Sequence, residues 1–234
     1  MRIVLVLAFH LVLMTAYADI DEGITAYNKG DYATALREFS AAANTGNPAG
    51  QHLLASLYYQ GHGTAKDIPR AVKLFTDAAD QGYRASQANL GLMYQNGDGV
   101  RPDIQKAISY YTAASVQGDL QSTFNLGQIY RKGSGSVSPD QPKAAKYYRL
   151  ASERGYLPAA NEYGLLYAQG HGVEQNYVEA YAWISLAARQ QEDNSAAVKN
   201  LAQLTEILGP QIAAGKARAE EIEKAVAQRT AGSD

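Results

Sequence analysis

Residues 86–118 read SQANLGLMYQNGDGVRPDIQKAISYYTAASVQG, and their pattern indicates the fold. Gly97 and Gly99 mark a loop that follows a first helix-forming segment. Asp103 stands just ahead of a second such segment, where its side chain can accept hydrogen bonds from unpaired backbone N–H groups. Gly118 comes where that segment ends, and glycine can adopt the left-handed conformation that satisfies the last carbonyls. The stretch therefore predicts a helix, a glycine loop and a second, capped helix.

The same order of residues recurs along the chain at intervals of 36, 36 and 37 residues. Each copy carries a tyrosine, two glycines and an N-cap residue. The four sets are Tyr58, Gly61, Gly63 and Asp67; Tyr94, Gly97, Gly99 and Asp103; Tyr130, Gly133, Gly135 and Asp140; and Tyr167, Gly170, Gly172 and Asn176. A fixed period of this length is typical of repeat architectures, in which each unit packs on its neighbours.

Each first helix has a small residue in the middle, and each second helix has a large residue four positions after its opening alanine. The small residues are Ala55, Gly91, Gly127 and Gly164, and the large ones are Phe75, Tyr111, Tyr148 and Ile184, the last beside Trp183. Glycine within a helix costs roughly 0.5–1 kcal/mol. We therefore expect it to allow a neighbouring helix to approach closely.

These residues resemble the Sel-like repeat (SLR) family, whose units read A-x-x-x-L-G-x-x-Y-x-x-G-x-G-V, then D-x-x-K-A, then A-A-x-x-G. The resemblance covers about residues 48–191 and implies an all-α fold, a right-handed α/α solenoid of tetratricopeptide/Sel-like helix pairs. The predicted units are listed by range: a tetratricopeptide-like N-terminal repeat at 19–47, then Sel-like repeats at 48–83, 84–119, 120–156 and 157–193. Ser136 is a one-residue insertion, and Gln191 replaces the last terminal glycine.

The C-terminal segment, residues 194–234, is predicted to cap the array with helices. Apolar residues recur there every three or four positions, as one buried helical stripe requires. They are Ala197, Val198, Leu201, Leu204, Ile207 and Leu208. Gly209-Pro210 separates them from a final helix at about 211–229, for which a cap and a partner-binding role both remain open.

Residues 1–18 have the features of a secretory signal peptide. Arg2 precedes an apolar segment, and Ala16-Tyr17-Ala18 forms a small-x-small cleavage site, so cleavage after Ala18 is expected. The apolar segment is shorter than the roughly 18–20 residues that span a bilayer, so no membrane insertion is expected after cleavage. The chain lacks cysteine, the attachment point of a lipoprotein lipid. The expected location is the periplasm or the medium.

The composition excludes several classes of protein. Charged residues make up 19% of the chain and the formal net charge is −2, so no basic surface for nucleic acid is expected. Absence of cysteine excludes disulfides and thiolate chemistry. The sequence contains no G-x-S-x-G, H-E-x-x-H, S-x-x-K, K-T-G or Walker motif. His62 and His171 occupy the same loop position in distant repeats, so we expect no metal site. Because the catalytic and nucleotide-binding motifs are missing, we also expect no cofactor and no catalytic residues.

The resemblance places partner binding on the first helices of the repeats, which line the concave face of such solenoids. The polar and aromatic candidates there are Gln51, Tyr59, Gln87, Asn89, Gln95, Asn125, Gln128, Arg131 and Glu162. The leading hypothesis is a non-catalytic adaptor or scaffold that binds a protein or peptide. The alternatives are a periplasmic regulator of a membrane sensor and a protein that binds or hydrolyses cell-wall fragments or β-lactams. The oligomeric state stays open.

Overall fold

The computed structural model describes residues 20–189 and 196–232. The predicted signal peptide, residues 1–18, lies outside the described residues. The chain divides into two compact units, Met1–Ala113 and Ala114–Asp234. None of the helices in the described part of the chain is both long enough and apolar enough to cross a membrane.

The elements are helices that follow one another in the order predicted by the sequence. In the first unit they are α1 (20–28), α2 (Tyr32–Asn44), α3 (Pro48–Gln60), α4 (Ile68–Asp80), α5 (Arg84–Asn96) and the larger part of α6 (Ile104–Val116). In the second unit they are α7 (Leu120–Lys132), α8 (Gln141–Ser152), α9 (Leu157–Gln169), α10 (Tyr177–Ala188), α11 (Ala196–Leu208), a 3-10 turn (Gly209–Gln211) and α12 (Ile212–Ala231). Within each unit, consecutive helices pack as pairs.

The predicted caps are confirmed at the start of the second helices. Asp67 accepts from the Arg70 N–H at 3.0 Å, and Asp140 accepts from the Lys143 N–H at 3.0 Å. Asp103 and Asn176 make the same kind of bonds at 3.0–3.1 Å. The glycines that end the second helices have the expected positive φ, with values of 84°, 88° and 85° at Gly82, Gly118 and Gly155. Local sequence thus sets both ends of these helices.

Close packing explains the mid-helix glycines. A Cβ atom added to Gly91 would lie 2.5 Å from the Tyr111 ring, and one added to Gly127 would lie 2.6 Å from the Tyr148 ring. Tyr111 and Tyr148 are 1% and 0% exposed, so neither ring can move aside into solvent. The expectation that glycine allows close helix approach is therefore confirmed.

The second glycine of the loop has a separate packing role. A Cβ on Gly63 would lie 2.6 Å from the Tyr32 carbonyl oxygen, in the first turn of α2. Gly99 lies in the same way against Ile68 in the first turn of α4, and Gly172 against Gln141 in the first turn of α8. Each of these loops therefore packs against the start of the second helix of the preceding repeat.

Helices α11 and α12 pack on α10, as a helical cap of the second unit would. Ala197, Leu204 and Leu208 of the predicted stripe are buried, but Ile207 is 57% exposed, so its predicted place in the buried stripe is wrong. The reason is geometric, because Ile207 is turned about 60–100° around the helix axis from the buried positions and so lies outside the stripe. Two ion pairs hold α12 in place. Arg218 pairs with Glu179 of α10 at 2.7 Å, and Arg229 pairs with Glu153, the C-cap of α8, at 2.6 Å.

Replacing Gly91 with alanine tests the close packing. An alanine at an exposed mid-helix glycine would stabilise the chain by roughly 0.5–1 kcal/mol. Here the added methyl group would overlap the buried Tyr111 ring, so we expect Gly91→Ala to lower the free energy of unfolding by about 1–3 kcal/mol. Urea unfolding followed by circular dichroism measures the difference, and a more stable variant would contradict the packing account.

Candidate functional site

A pocket of about 220 Å³ opens between α3, α4 and α5 in the first unit. It is lined by Ser56, Tyr59 and Gln60 of α3, Phe75 of α4, Asn89, Leu92 and Met93 of α5, and Asp98 of the following loop. Two of the predicted binding residues, Tyr59 and Asn89, therefore meet at one pocket.

The walls of the pocket combine apolar and polar groups. Phe75 and Met93 are buried, at 2% and 3% exposure, and supply apolar walls, whereas Leu92 is 47% exposed. Asn89 and Asp98 are half-buried. Among the described residues, neither side chain makes a hydrogen bond or an ion pair. The pocket thus offers one amide and one carboxylate to a binding partner.

The repeat numbering shows why this pocket is open. Tyr59 lies four positions after the small residue of its first helix, and Asn89 lies two positions before the small residue of the next one. In the second unit the corresponding residues are Arg131 and Glu162. They form an ion pair between α7 and α9, with side chains 25% and 18% exposed. The same two repeat positions therefore border a pocket in the first unit and are joined by an ion pair in the second.

Tyr111 and Tyr148, the large residues of their second helices, place their hydroxyl groups near a residue of the preceding first helix. That residue lies four positions after the small residue of the same first helix. The Tyr111 hydroxyl donates to Gln95 Oε1 at 2.8 Å. The Tyr148 hydroxyl lies near Arg131 and Glu162, and its pKa is raised mainly by burial and further by the Glu162 carboxylate. Phe75 has no hydroxyl to place beneath Tyr59, so the wall of the pocket stays apolar at that point.

Two other depressions are already occupied by internal charge contacts. One of about 160 Å³ in the second unit lies beside Trp183 and is bordered by the ion pairs of α12. The other, a broad depression of about 620 Å³, lies along the loop after α3, where the Arg70 guanidinium lies 4.4 Å from the Tyr58 ring. The pocket between α3 and α5 is the better candidate site because the Asn89 amide and the Asp98 carboxylate in its lining make no hydrogen bond or ion pair among the described residues.

A family model of the Sel1 repeat matches residues 48–83, 84–119, 120–156 and 157–192. The chain belongs to the Sel1 repeat family. The predicted resemblance to Sel-like repeat proteins and the predicted all-α fold of helix pairs are confirmed. Sel1 repeat proteins are generally scaffolds for protein–protein interactions.

Solved structures of similar fold agree with this assignment. A Sel1 repeat protein from Oxalobacter formigenes is 28% identical, with 90% of this chain and 82% of that chain covered and a TM-score of 0.73. A Sel1 repeat protein from Klebsiella pneumoniae is 24% identical, with 81% and 93% covered and a TM-score of 0.51. The immunity protein Pa5087 from Pseudomonas aeruginosa is 21% identical, with 89% and 82% covered and a TM-score of 0.50. The last two show the fold alone. The search of curated proteins found no match.

The remaining predicted binding residues of this Sel1 repeat protein have other surroundings. Gln51 is buried and accepts from Gln81 Nε2 at 2.8 Å, and Gln87 is buried and donates to the Ala79 carbonyl at 3.3 Å. These two side chains are used in helix packing rather than presented to a partner. Asn125 accepts from Gln121 at 2.9 Å, and Gln128 is half-buried.

Sequence reasoning missed most of the pocket walls. Ser56, Gln60, Leu92 and Asp98 were not among the candidates, although Asp98 stands between two glycines where other repeats have histidine or serine. That variation within a fixed loop was the available signal. Within the described residues, no group of histidine, aspartate and glutamate side chains is placed to hold a metal ion.

His52 lies behind the pocket wall and contacts residues of α4 and α5. It belongs to α3, its Nδ1 lies 2.9 Å from the Ser86 hydroxyl oxygen of α5, and its ring centroid lies 5.3 Å from that of Phe75. A second ring, Tyr83, lies 5.1 Å away on another side. Burial lowers the pKa of His52 from its ordinary 6.5 to about 4. The neutral imidazole therefore links the two first helices behind the apolar pocket wall.

This burial predicts a pH dependence of stability. Above about pH 6.5 His52 is neutral in both the folded and the unfolded chain. Between about pH 6.5 and 4 the unfolded chain takes up a proton that the folded chain does not, so the free energy of unfolding should fall by up to about 3 kcal/mol. We expect His52→Asn, which keeps a polar partner for Ser86, to show a smaller loss. Urea unfolding of both proteins at pH 7, 5.5 and 4.5 checks this, and identical pH profiles would contradict it.

Proposed function

We propose that this chain is an exported, non-catalytic scaffold that binds another protein or a peptide segment at the pocket between α3 and α5. The observation that carries the proposal is that the Asn89 amide and the Asp98 carboxylate line this pocket without a hydrogen bond or ion pair among the described residues, whereas Arg131 and Glu162 at the corresponding positions of the second unit pair with each other. Polar side chains that stay unpaired at positions where a later repeat pairs them are available to a partner.

The geometry suits protein binding better than small-molecule chemistry. Sites for drug-sized ligands usually have about 300–1,000 Å³, and this pocket has about 220 Å³, with a wide opening beside the exposed Leu92. That size fits one large side chain of a longer partner. Its lining holds one ionisable carboxylate and no cation or imidazole, so no acid–base pair is assembled there.

Closing the pocket should abolish capture of the partner. Tyr59→Arg combined with Asn89→Glu reproduces, at the same repeat positions, the ion pair that the second unit already contains. The matched control is the opposite exchange, Arg131→Tyr with Glu162→Asn. Each protein, checked for folding by circular dichroism, is immobilised and exposed to solubilised envelope and culture medium, and retained proteins are identified by mass spectrometry. We expect the parent and the control to retain the same partner and the closed variant to lose it.

Retention of the same partner by the folded, closed variant would contradict the assignment of this pocket. If no protein is retained by the parent either, soluble muropeptides are the next probe, because binding of wall fragments is the alternative that an envelope location favours. In that case the scaffold proposal fails, and the pocket becomes a candidate for a smaller ligand.

The proposal of export rests on Arg2, the apolar segment after it and the small residues at Ala16 and Ala18. When the full chain is expressed in a Gram-negative host, we expect a periplasmic or secreted product whose first residue is Asp19. Intact mass spectrometry and N-terminal sequencing measure this. Replacing Ala18 with the bulky Phe should block cleavage, because the cleavage site requires small residues. An uncleaved parent protein confined to the cytoplasm would contradict export.

A further inference from the structure

We infer that the occupant of the pocket is an extended peptide segment in which a large apolar side chain stands next to a lysine or arginine. This inference rests on the proposed function and adds the chemistry of the partner. Three features of the pocket carry it: its apolar wall, its negatively charged rim and the uncommitted amide of Asn89.

The apolar wall selects the first side chain. Phe75 and Met93 are almost fully buried within the protein yet border the pocket, and Leu92 extends the apolar surface to the exterior. A side chain of the size of Leu, Met or Phe that enters removes its own surface and part of theirs from water. The gain from burial rises with the apolar area removed from water, so this contact gives the main part of the affinity.

The rim of the pocket is negative. The Asp98 carboxylate makes no ion pair within the described residues, and no cationic side chain lines the pocket. Lys66 is the nearby exception, but its Nζ lies 5.4 Å from the Tyr59 ring centroid and outside the lining. An unpaired carboxylate beside an apolar cavity favours a cation on the partner.

Two helix ends strengthen this negative potential. Gln60 is the last residue of α3, and Asp98 follows the C-cap of α5, so the carboxyl ends of both helices meet at the pocket. The carboxyl end of a helix carries about half a negative charge. The backbone N–H groups of Gly97 and Asp98 both donate to the Met93 carbonyl, at 2.8 and 3.0 Å, which fixes Asp98 at this end. A basic side chain of the partner would therefore meet three negative groups.

Asn89 provides the contact to the partner backbone. Its amide group can donate and accept at once, which matches the N–H and C=O of one peptide unit. The corresponding side chains in the later repeats are committed, Asn125 to Gln121 and Glu162 to Arg131. Asn89 is thus the member of this series that is open for a peptide.

The test uses three acetylated and amidated hexapeptides: Gly-Ser-Leu-Lys-Ser-Gly, Gly-Ser-Leu-Glu-Ser-Gly and Gly-Ser-Ala-Lys-Ser-Gly. Met93 reports binding directly, because the chain has three methionines, Met1, Met14 and Met93. The protein is labelled with ¹³C at the methionine methyl groups, and Met93→Leu assigns the signal. The shift of the Met93 methyl is followed against peptide concentration at low salt.

We expect the Leu-Lys peptide to shift the Met93 signal with a Kd about fivefold or more below that of the Leu-Glu peptide, because the lysine is attracted to the Asp98 carboxylate and the glutamate is repelled by it. The Ala-Lys peptide should bind weaker still. In Asp98→Asn, the difference between Lys and Glu should fall to about twofold or less, and 0.5 M salt should have a similar effect on the parent.

Equal Kd values for the Leu-Lys and Leu-Glu peptides, with binding lost in the Tyr59→Arg, Asn89→Glu variant, would overturn the charge preference and leave the proposed function intact. No shift of the Met93 signal with any peptide would overturn the inferred occupant. The capture experiment decides the proposed function separately, because it makes no assumption about the partner's sequence.

Discussion

Each repeat is built around a close contact between the small residue in the middle of its first helix and the large side chain of its second helix. Tyr111 and Tyr148 lie directly on Gly91 and Gly127, with no space for a Cβ atom. This contact fixes which face of the first helix is turned inward. It therefore also fixes where the neighbouring positions lie: the residue four after the small residue is one turn further along the same face, within reach of the ring hydroxyl, and the residue two before it lies on the other side of the helix.

The residues two before and four after the small residue decide whether neighbouring first helices are joined by an ion pair or border a pocket. Arg131 and Glu162 join α7 to α9 by an ion pair in the second unit, and the Tyr148 hydroxyl lies near it. In the first unit Tyr59 and Asn89 cannot form such a pair, and Phe75 provides no hydroxyl, so a pocket remains. A fixed backbone framework with variable residues at two positions can thus give either a closed surface or a binding site without a change of fold.

The sequence predicted the fold well because the signals that define it are local and repeated. The N-caps at Asp67, Asp103, Asp140 and Asn176 and the glycines at 82, 118 and 155 act within a few residues of their position. The residues that line the candidate pocket were predicted only in part, and whether they bind a partner stays a prediction. Tyr59 and Asn89 were found because they lie between packing residues, but Gln51 and Gln87 were assigned to the same surface although they are buried. A polar side chain is used in helix packing when it finds a hydrogen-bond partner on another helix, as Gln51 does in Gln81. Such partners are distant in sequence, and helical periodicity does not identify them.

The proposed function requires that the partner contacts α3 and α5 at the pocket of the first unit. Hydrogen–deuterium exchange of the full chain, free and bound to the captured partner, measures this contact. We expect added protection in the C-terminal turns of α3 and α5 and in the loop of Asp98, with α7 and α9 unchanged. Protection confined to α7 and α9, or to α12, with the exchange of α3 and α5 unaltered, would contradict it.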